Sequence, residues 1–304
     1  MAGSQDFEGD PRNADLLVLL NRELVPAAEA RVSIFDAGFG LGDGVWEGLR
    51  LHKGALLFLD AHLERLFAGA AKIKLDIGLT ANDLKDDLKR LMVANRMEDG
   101  GHVRLMVTRG VKSSINQDPR FALGRPTIAC TAEFKAPPKL PKPGLDLKTV
   151  SIRTSGTETF DMRINSHSRL NYIIALLEAI GSGGDEALML DPRGNIASCN
   201  ATNFFWVKRD TIYTSGDDYC FNGITRANVI AACREGAAKL SQGDFSPEHL
   251  QDADEAFVTG TMGGITPVRS IDGTKLCAGG TMTRHIASTY ARMKDEYARQ
   301  FPLI

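Results

Sequence analysis

The stretch DMRINSHSRLNYIIALLEA, residues 161–179, is where the clues to the fold and to the function of this chain meet. Its second half predicts a helix that begins near Leu170, because apolar residues recur there at helical spacing. The predicted buried face of this helix is formed by Ile173, Ile174, Leu176 and Leu177. The first half is polar and offers three candidate N-caps, Asn165, Ser166 and Ser168.

Cationic side chains crowd the polar half of this stretch. Arg163, His167 and Arg169 stand close to Asn165, at a predicted helix start where backbone N–H groups and the helix dipole favour anions. Since a cation there opposes the dipole, we expect an anionic partner, and our hypothesis is that Arg169 binds a substrate carboxylate or a cofactor. His167 either hydrogen-bonds to the nearby backbone or transfers protons, for which its ordinary pKa of about 6.5 is suited.

The composition indicates a globular protein that binds neither nucleic acid nor an anionic membrane. Of the 304 residues, 43% are apolar and 24% are charged, and the formal net charge is −2, which gives no basis for attraction to a polyanion. No apolar run approaches the ~18 residues of a membrane-spanning helix. The five scattered cysteines fit neither a disulfide framework nor a metal site, and the polar N-terminus resembles no targeting signal, so we expect a cytoplasmic protein.

Strands and helices are predicted in an order typical of an α+β protein, because the strands arrive in hairpins rather than in βα alternation. The main predicted strands are 16–20, 32–35, 45–50, 102–109, 126–133, 147–153, 186–191, 203–207 and 255–259. The main further helices are 61–74, 80–95, 223–240 and 283–297.

Residues 36–44 are rich in glycine like a dinucleotide-binding fingerprint. The strand pattern that follows them excludes that interpretation, since the fingerprint must open a helix.

Four prolines in residues 136–144 indicate an extended linker between two domains. A chain of 304 residues is long enough for two hydrophobic cores. We therefore expect a flexible N-terminus at 1–14, a small domain at 15–135, the linker at 136–145 and a larger domain at 146–304.

Three features along the chain are candidates for binding an anion. Gly223 opens a predicted helix with free N–H groups, and residues 260–264 form a glycine turn whose amides can make an anion nest. Arg65 lies on the first long predicted helix, where its guanidinium can bind two oxygens at once. Taken singly, the three features are equally compatible with a capped helix start, a tight turn and a surface arginine.

In their joint order these features resemble the fold-type-IV aminotransferases that depend on pyridoxal phosphate. That family includes the branched-chain and D-amino-acid aminotransferases and aminodeoxychorismate lyase. The motifs that carry the resemblance are FDAGFGLGDGVWEGLR (35–50), HLERL (62–66), VTRG (107–110), DEALMLD (185–191), NATNF (200–204), GITR (223–226) and GTMGGITPV (260–268). The resemblance implies an α+β architecture of two domains with the cofactor in the cleft between them. It also implies a homodimer that acts on a small amino acid or keto acid.

The resemblance also implies roles for individual residues. Arg65 corresponds to the family's phosphate-binding arginine. The other implied cofactor ligands are Ser198, Asn203, Gly223, Ile224, Thr225, Thr261 and Met262. Arg109 corresponds to an arginine that binds the substrate carboxylate in D-amino-acid aminotransferases, and Trp46 and Arg50 correspond to residues of the substrate pocket. Trp46 favours an apolar or aromatic substrate side chain.

One residue that the family uses is missing, because no lysine occurs at residues 149–207. The lysine that binds the cofactor covalently should lie near Asn165, with Arg163 and Arg169 as alternatives. Arginine cannot form that bond, since its pKa is above about 12 and it holds no free lone pair. Ser198 stands where the family has the glutamate that keeps the pyridine nitrogen protonated, so the ring should be a weaker electron sink.

Three functions remain open. In the first, the chain binds pyridoxal 5′-phosphate or pyridoxamine 5′-phosphate without a covalent bond and catalyses a restricted reaction, assisted by His167 or an arginine. In the second, it has lost the cofactor and acts as a lyase or hydrolase on an anionic substrate. In the third, it is a non-catalytic relative. A lysine from elsewhere, such as Lys112 or Lys208, could also reach the site.

Overall fold

The computed structural model describes residues 3–4, 6–136 and 143–304, and most of the predicted proline-rich linker, residues 137–142, lies outside them. The chain divides into two compact units. The large unit consists of Met1–Phe7, Pro137–Arg163 and Leu170–Met293, and the small unit consists of Glu8–Ala136, Ile164–Arg169 and Lys294–Ile304. The predicted domain bounds, 15–135 and 146–304, remain a prediction.

The small unit is built on a six-stranded antiparallel sheet. Its elements are β1 (Leu17–Leu20), β2 (Glu23–Pro26), α1 (Ala37–Leu41), β3 (Gly44–His52), β4 (Ala55–Leu56), α2 (Leu59–Lys72), α3 (Ala81–Ala94), β5 (Gly101–Thr108) and β6 (Thr127–Phe134). The strands lie in the order β2-β1-β6-β5-β3-β4, and each pairs antiparallel with its neighbours. Strands β3 and β5 are adjacent in this order, and β3 lies next to the edge strand β4.

Strand alternation sorts the residues of β3 between the two faces of the sheet. The face with Val45, Leu49 and Leu51 is buried and belongs to one hydrophobic cluster with leucines of α2 and α3. The opposite face carries Trp46 and Arg50, which are half-buried. One face of the sheet thus serves the core, and the other presents polar and aromatic groups.

The large unit contains a nine-stranded mixed sheet. The remaining elements of the chain are β7 (Leu145–Thr149), α4 (Leu170–Gly181), β8 (Glu186–Leu190), β9 (Ile196–Cys199), β10 (Asn203–Lys208), β11 (Thr211–Ser215), α5 (Ile224–Ala232), β12 (Lys239–Gly243), β13 (Glu255–Gly260), β14 (Gly264–Ile271), β15 (Thr274–Lys275) and α6 (Thr281–Gln300). The sheet order is β12-β11-β10-β13-β14-β7-β8-β9, with β15 beside β14. Trp206 is fully buried and stacks on Tyr213 at 5.5 Å. The predicted α+β class is confirmed.

Two predicted elements are wrong for local reasons. Residues 32–35 form no strand, and α1 follows them, because the Asp36 carboxylate accepts from the Gly38 amide at 2.8 Å and caps a helix there. The helix predicted at 223–240 ends as α5 at Ala232, and a π turn with Gly236 at φ +104° leads into β12. A left-handed glycine ends a helix because it carries no Cβ to clash.

The predicted buried face of α4 is also wrong. The buried residues are Tyr172, Ala175 and Ala179, which belong to a cluster with residues of β8, and two alanines allow close approach to the sheet. The large apolar residues point outward instead. We call the apolar face of α4 the exposed set of Leu170, Ile173, Ile174, Leu177 and Ile180. No helix in the described part of the chain is both long and apolar enough to cross a membrane.

Candidate active site

Residues 164–169 of the small unit run beside the start of β3 and do not cap α4. The amide of Trp46 donates to the carbonyl of Asn165 at 2.9 Å, and the amide of His167 donates to the carbonyl of Gly44 at 3.0 Å. An antiparallel bridge lies between these two bonds. The three predicted N-caps are therefore wrong, because this backbone is used in strand-like pairing.

Two guanidinium groups converge on the indole of Trp46. The guanidinium carbon of Arg104 lies 3.8 Å from the ring centroid and that of Arg169 lies 5.1 Å from it, within the range of cation–π attraction. Burial lowers the pKa of Arg104, and the charge of Arg169 lowers it further. Among the described residues none gives Arg104 a carboxylate partner, so its charge is uncompensated.

The pairing of residues 164–169 with β3 orients this cluster. The indole Nε1–H of Trp46 donates to the carbonyl of Ser166 at 3.0 Å, and the guanidinium of Arg169 donates to the side-chain oxygen of Asn165. Sequence reasoning missed Arg104. The signal was available, because Arg104 lies on a predicted strand whose side chains alternate between two faces. Its cross-strand partner on β3 is Gly48, which is on the same face as Trp46.

His167 lies against the same cluster with one ring nitrogen unused. Its Nε2 is buried and has no hydrogen-bond partner among the described residues. Burial lowers its pKa to about 4, with Arg104 and then Arg169 adding to that effect and a hydrogen bond to the Val45 backbone opposing it. The imidazole is therefore neutral at pH 7, and because the Val45 bond falls to Nδ1, Nε2 carries a lone pair.

The other predicted arginines are held elsewhere. Arg163 lies in the large unit, where its Nε donates to Asp161 at 2.8 Å. Arg109 binds both carboxylate oxygens of Asp43, at 2.6 and 2.9 Å, and donates to two backbone carbonyls at the end of α2. A substrate carboxylate would have to displace Asp43, so its predicted role stays a prediction. Arg50 lies on the Trp46 face of β3 and donates to the carbonyl of Lys135.

Both lysines proposed as substitutes have hydrogen-bond partners of their own, and their role at the site stays a prediction. The buried ammonium of Lys112 donates to the carbonyls of Asn116 and Asp118 at 2.6 and 2.8 Å, which closes a loop of the small unit. Lys208 donates to the carbonyl of Gln251 at 3.0 Å.

The start of α5 in the large unit has the features of an anion site. Gly223 is the N-cap and supplies no side-chain cap to the first amides, those of Ile224 and Thr225. A Cβ added to Gly223 would lie 2.2 Å from Oδ1 of Asn203, so a larger residue would not fit. The side-chain amide of Asn203 donates from Nδ2 to the carbonyl of Phe221 at 2.6 Å and fixes the loop that enters the helix.

The glycine turn between β13 and β14 lies close to the start of α5. Thr261 and Met262 form this turn. At the start of α5, the hydroxyl of Thr225 is 3.4 Å from that of Tyr290. A Cβ added to Gly264, at the end of the turn, would lie 3.6 Å from the Tyr290 ring. The buried hydroxyl of Thr259, just before the turn, has no partner among the described residues. The start of α5 has no side-chain cap, and the Thr259 hydroxyl just before the turn is a donor that no described residue uses.

Ser198 occupies a buried position beside a carboxyl group that sequence reasoning missed. Its hydroxyl donates to the carbonyl of Thr202 at 2.9 Å and is 3.4 Å from the amide nitrogen of Asn203. Glu186 accepts from the Thr202 hydroxyl at 2.7 Å and from the amide and hydroxyl of Ser4. Burial raises the pKa of Glu186 to about 7.

Arg65 lies on α2 and is held by a buried acid of β3. Its Nε and Nη2 donate to Glu47 at 2.8 and 2.6 Å, and His62 Nδ1 lies 2.6 Å from the same carboxylate.

No group of three or more His, Cys, Asp or Glu residues able to hold a metal occurs in residues 3–4, 6–136 and 143–304. The arrangement suits organic anions, for which guanidinium groups and helix amides are the usual ligands.

The comparisons identify the class of protein. The family model described as "Amino-transferase class IV" matches residues 44–271. The chain superposes on a branched-chain aminotransferase from Thermoproteus uzoniensis, solved with norvaline, with a TM-score of 0.87 and 30% identity, covering 96% of this chain and 100% of the other. The chain therefore belongs to the class IV aminotransferase family and has its fold-type-IV architecture, which confirms the resemblance.

Two relatives are similar to most of this chain. It is 37% identical over 287 residues to branched-chain-amino-acid aminotransferase-like protein 2 of Arabidopsis thaliana, covering 94% of this chain and 51% of the relative. It is 35% identical over 257 residues to a putative branched-chain-amino-acid aminotransferase of Methanocaldococcus jannaschii, covering 84% of this chain and 88% of the relative. The chain thus spans about half the length of the similar plant protein.

Proposed function

We propose that this protein is a class IV aminotransferase-like enzyme that binds pyridoxal 5′-phosphate or pyridoxamine 5′-phosphate without a covalent bond. We further propose that it acts on a small amino acid or keto acid. The observation that carries the proposal is the cluster of Arg104, Arg169 and His167 around Trp46. It joins the positive charges of two arginines to a neutral base on an aromatic surface, and Arg104 has no carboxylate partner among the described residues. Such a cluster suits a carboxylic acid with a mobile Cα proton.

The start of α5 and the neighbouring glycine turn fit a phosphate monoester. The amides of Ile224 and Thr225 have no intrahelical partners and no side-chain cap, and the buried Thr259 hydroxyl has no partner among the described residues. An anion would satisfy these donors and also interact favourably with the helix dipole. We assign Thr261 and Met262 to the same cradle, and we assign Arg65 to the phosphate on the family resemblance.

The bound pyridine ring would act as an electron sink for the substrate Cα. Ser198 would have to give up its bond to the Thr202 carbonyl to donate to the ring nitrogen, and a serine cannot keep that nitrogen protonated, so we expect a slower reaction. His167 is the group that would take the Cα proton, since its Nε2 lone pair is available at pH 7. General acid–base assistance of this kind contributes about 10²–10⁴ in rate. The two arginines would hold and orient the substrate carboxylate.

We also propose that the protein is a homodimer in which a second copy covers the apolar face of α4. Leu170 is 67% exposed and Leu177 is 62% exposed, and both lie on one helix face. Exposed apolar residues in contiguous groups are typical of interfaces. The matching surface on a second copy of the same chain is equally apolar, which suits a two-fold contact.

The test is a titration of the purified protein with pyridoxal 5′-phosphate, followed by absorbance, borohydride reduction and intact mass. We expect a saturable complex that reduction does not make covalent. A covalent adduct at one lysine would overturn the non-covalent site and restore ordinary transamination. Absence of binding would overturn the cofactor proposal and favour an anionic substrate handled without the cofactor. Matched variants Arg104→Ala and Arg169→Ala should weaken keto-acid binding, whereas the exposed Arg292→Ala should not.

A further inference from the structure

Glu47 is a fully buried acid on the core face of the small unit's sheet. Its neighbours along that face, Val45 and Leu49, are apolar and buried. A lone carboxylate there would cost several kcal/mol, and an apolar side chain would pack with the cluster at no such cost. The chain nevertheless keeps an acid at this position, together with two basic residues of α2 that reach it.

The partners of Glu47 bind it in a defined geometry. Both are on α2, three residues apart, so they lie on one helix face. Arg65 uses its Nε–Nη2 edge, at 2.8 and 2.6 Å, and His62 adds a third bond at 2.6 Å. A guanidinium is planar, so gripping this edge fixes the direction of its remaining N–H groups.

The charge states of the three groups follow from their surroundings. Burial alone would raise the pKa of Glu47, but the bonds from Arg65 and His62 outweigh it and hold that pKa below its ordinary value. Burial lowers the pKa of His62 against the opposing effect of Glu47. Glu47 is therefore a carboxylate that only accepts, and His62 is a neutral imidazole that donates from Nδ1.

We infer that Glu47 is a positioning residue, which locks Arg65 in the orientation that receives the phosphate of the cofactor. The inference rests on the proposed function, because it needs Arg65 to be a phosphate ligand. Glu47 also neutralises the charge of Arg65, so the phosphate is recognised by the direction of N–H groups more than by net charge. His62 in turn fixes the carboxylate of Glu47.

The experiment compares pyridoxamine 5′-phosphate with pyridoxamine, which lacks only the phosphate and cannot react with surface lysines. Calorimetry on the full chain would measure both affinities for the wild type, Arg65→Ala, Glu47→Asp, Glu47→Gln and the double variant Glu47→Gln/Arg65→Ala. Glu64→Gln is the matched control, because Glu64 is exposed and adjacent to Arg65 on α2. Glu47→Asp keeps the charge but withdraws the carboxylate, so it separates orientation from charge.

We expect each single variant at 47 or 65 to weaken phosphate-ester binding by about tenfold to a hundredfold, as for a charge-assisted bond. Affinity for pyridoxamine should stay within about twofold, and the double variant should be no weaker than Arg65→Ala. Loss at Arg65→Ala with none at Glu47→Asp would overturn the inference and leave the proposed function intact. No loss at Arg65→Ala would remove Arg65 from the phosphate site and overturn both. Equal losses for both ligands would indicate a structural role only.

Discussion

Replacing Glu186 with glutamine should stabilise the protein above pH 7 and have little effect in acid. The carboxyl is fully buried between Ser4 and Thr202, and its pKa rises from an ordinary 4.5 to about 7. The nearby acid Asp185 adds to the effect of burial. Because one pKa unit corresponds to about 1.4 kcal/mol, the full cost of ionising the buried group is about 3 kcal/mol.

The direction of the pH dependence follows from which state releases its proton first. Below pH 4.5 Glu186 is protonated whether the chain is folded or unfolded, so the charge costs nothing. Between pH 4.5 and 7 the unfolded chain ionises and the folded chain does not, so stability falls as the pH rises. Above pH 7 the loss is complete. From pH 5.5 to pH 8 the wild type should lose about 2 kcal/mol relative to the glutamine variant.

The assay is urea unfolding of both proteins at pH 5.5 and pH 8. The quantity to compare is the difference in the free energy of unfolding between wild type and variant, since other titrating groups cancel in it. Glu235→Gln is the control, because it makes the same chemical change at an exposed position of the same unit. A Glu186→Gln difference that is the same at both pH values would refute the claim that burial raises this pKa.

Two further predictions test the cradle and the dimer. Gly223→Ala should weaken pyridoxamine 5′-phosphate binding by about tenfold, because the new Cβ would meet Asn203 Oδ1 at 2.2 Å and displace the first amides of α5. Gly181→Ala, where a Cβ meets nothing within 4 Å, is its control by calorimetry, and equal affinities in both would contradict the cradle. Leu177→Lys should convert a dimer to a monomer in light scattering, because a buried ammonium opposes association. Glu235→Lys should leave the dimer intact. A dimer that survives Leu177→Lys would show that the apolar face of α4 is not the dimer interface.

Sequence patterns predicted most of the framework because local rules govern it. The strand predicted at 203–207 appears as β10, and the helix predicted at 80–95 appears as α3 with a capping box at Thr80 and Asp83. These elements have strong periodicity and clear caps. The apolar residues of α4 obey the same periodicity but face outward, because periodicity identifies a face without saying what covers it. Small residues, Ala175 and Ala179, decided which face meets the sheet.

The residues of the candidate site that sequence reasoning missed have partners far along the chain. Arg104 meets Trp46 across two strands, Glu47 meets Arg65 through an 18-residue separation, and Glu186 accepts from Ser4 across 182 residues. A buried acid in a strand breaks the alternation of apolar and polar residues, and only the position of its partner in the fold explains it. Such violations of local patterning are where functional groups are expected, and they are visible in the sequence before their partners are known.

The absence of lysine and the presence of Arg104 and Arg169 have separate consequences. A lysine in a cofactor site supplies a positive charge, a nucleophile and a proton carrier. Under the proposed function, the arginines on Trp46 would retain the charge, and His167, whose buried Nε2 has no partner among the described residues, would retain the proton transfer. No lysine in residues 149–207 supplies the nucleophile. Carboxylate binding and proton transfer can therefore survive where covalent capture cannot. It follows that affinity for keto acids and for the phosphorylated cofactor should be measured before turnover. A slow reaction would not distinguish a weakened enzyme from an inactive relative. Binding of these ligands at the arginines and at α5 would make that distinction.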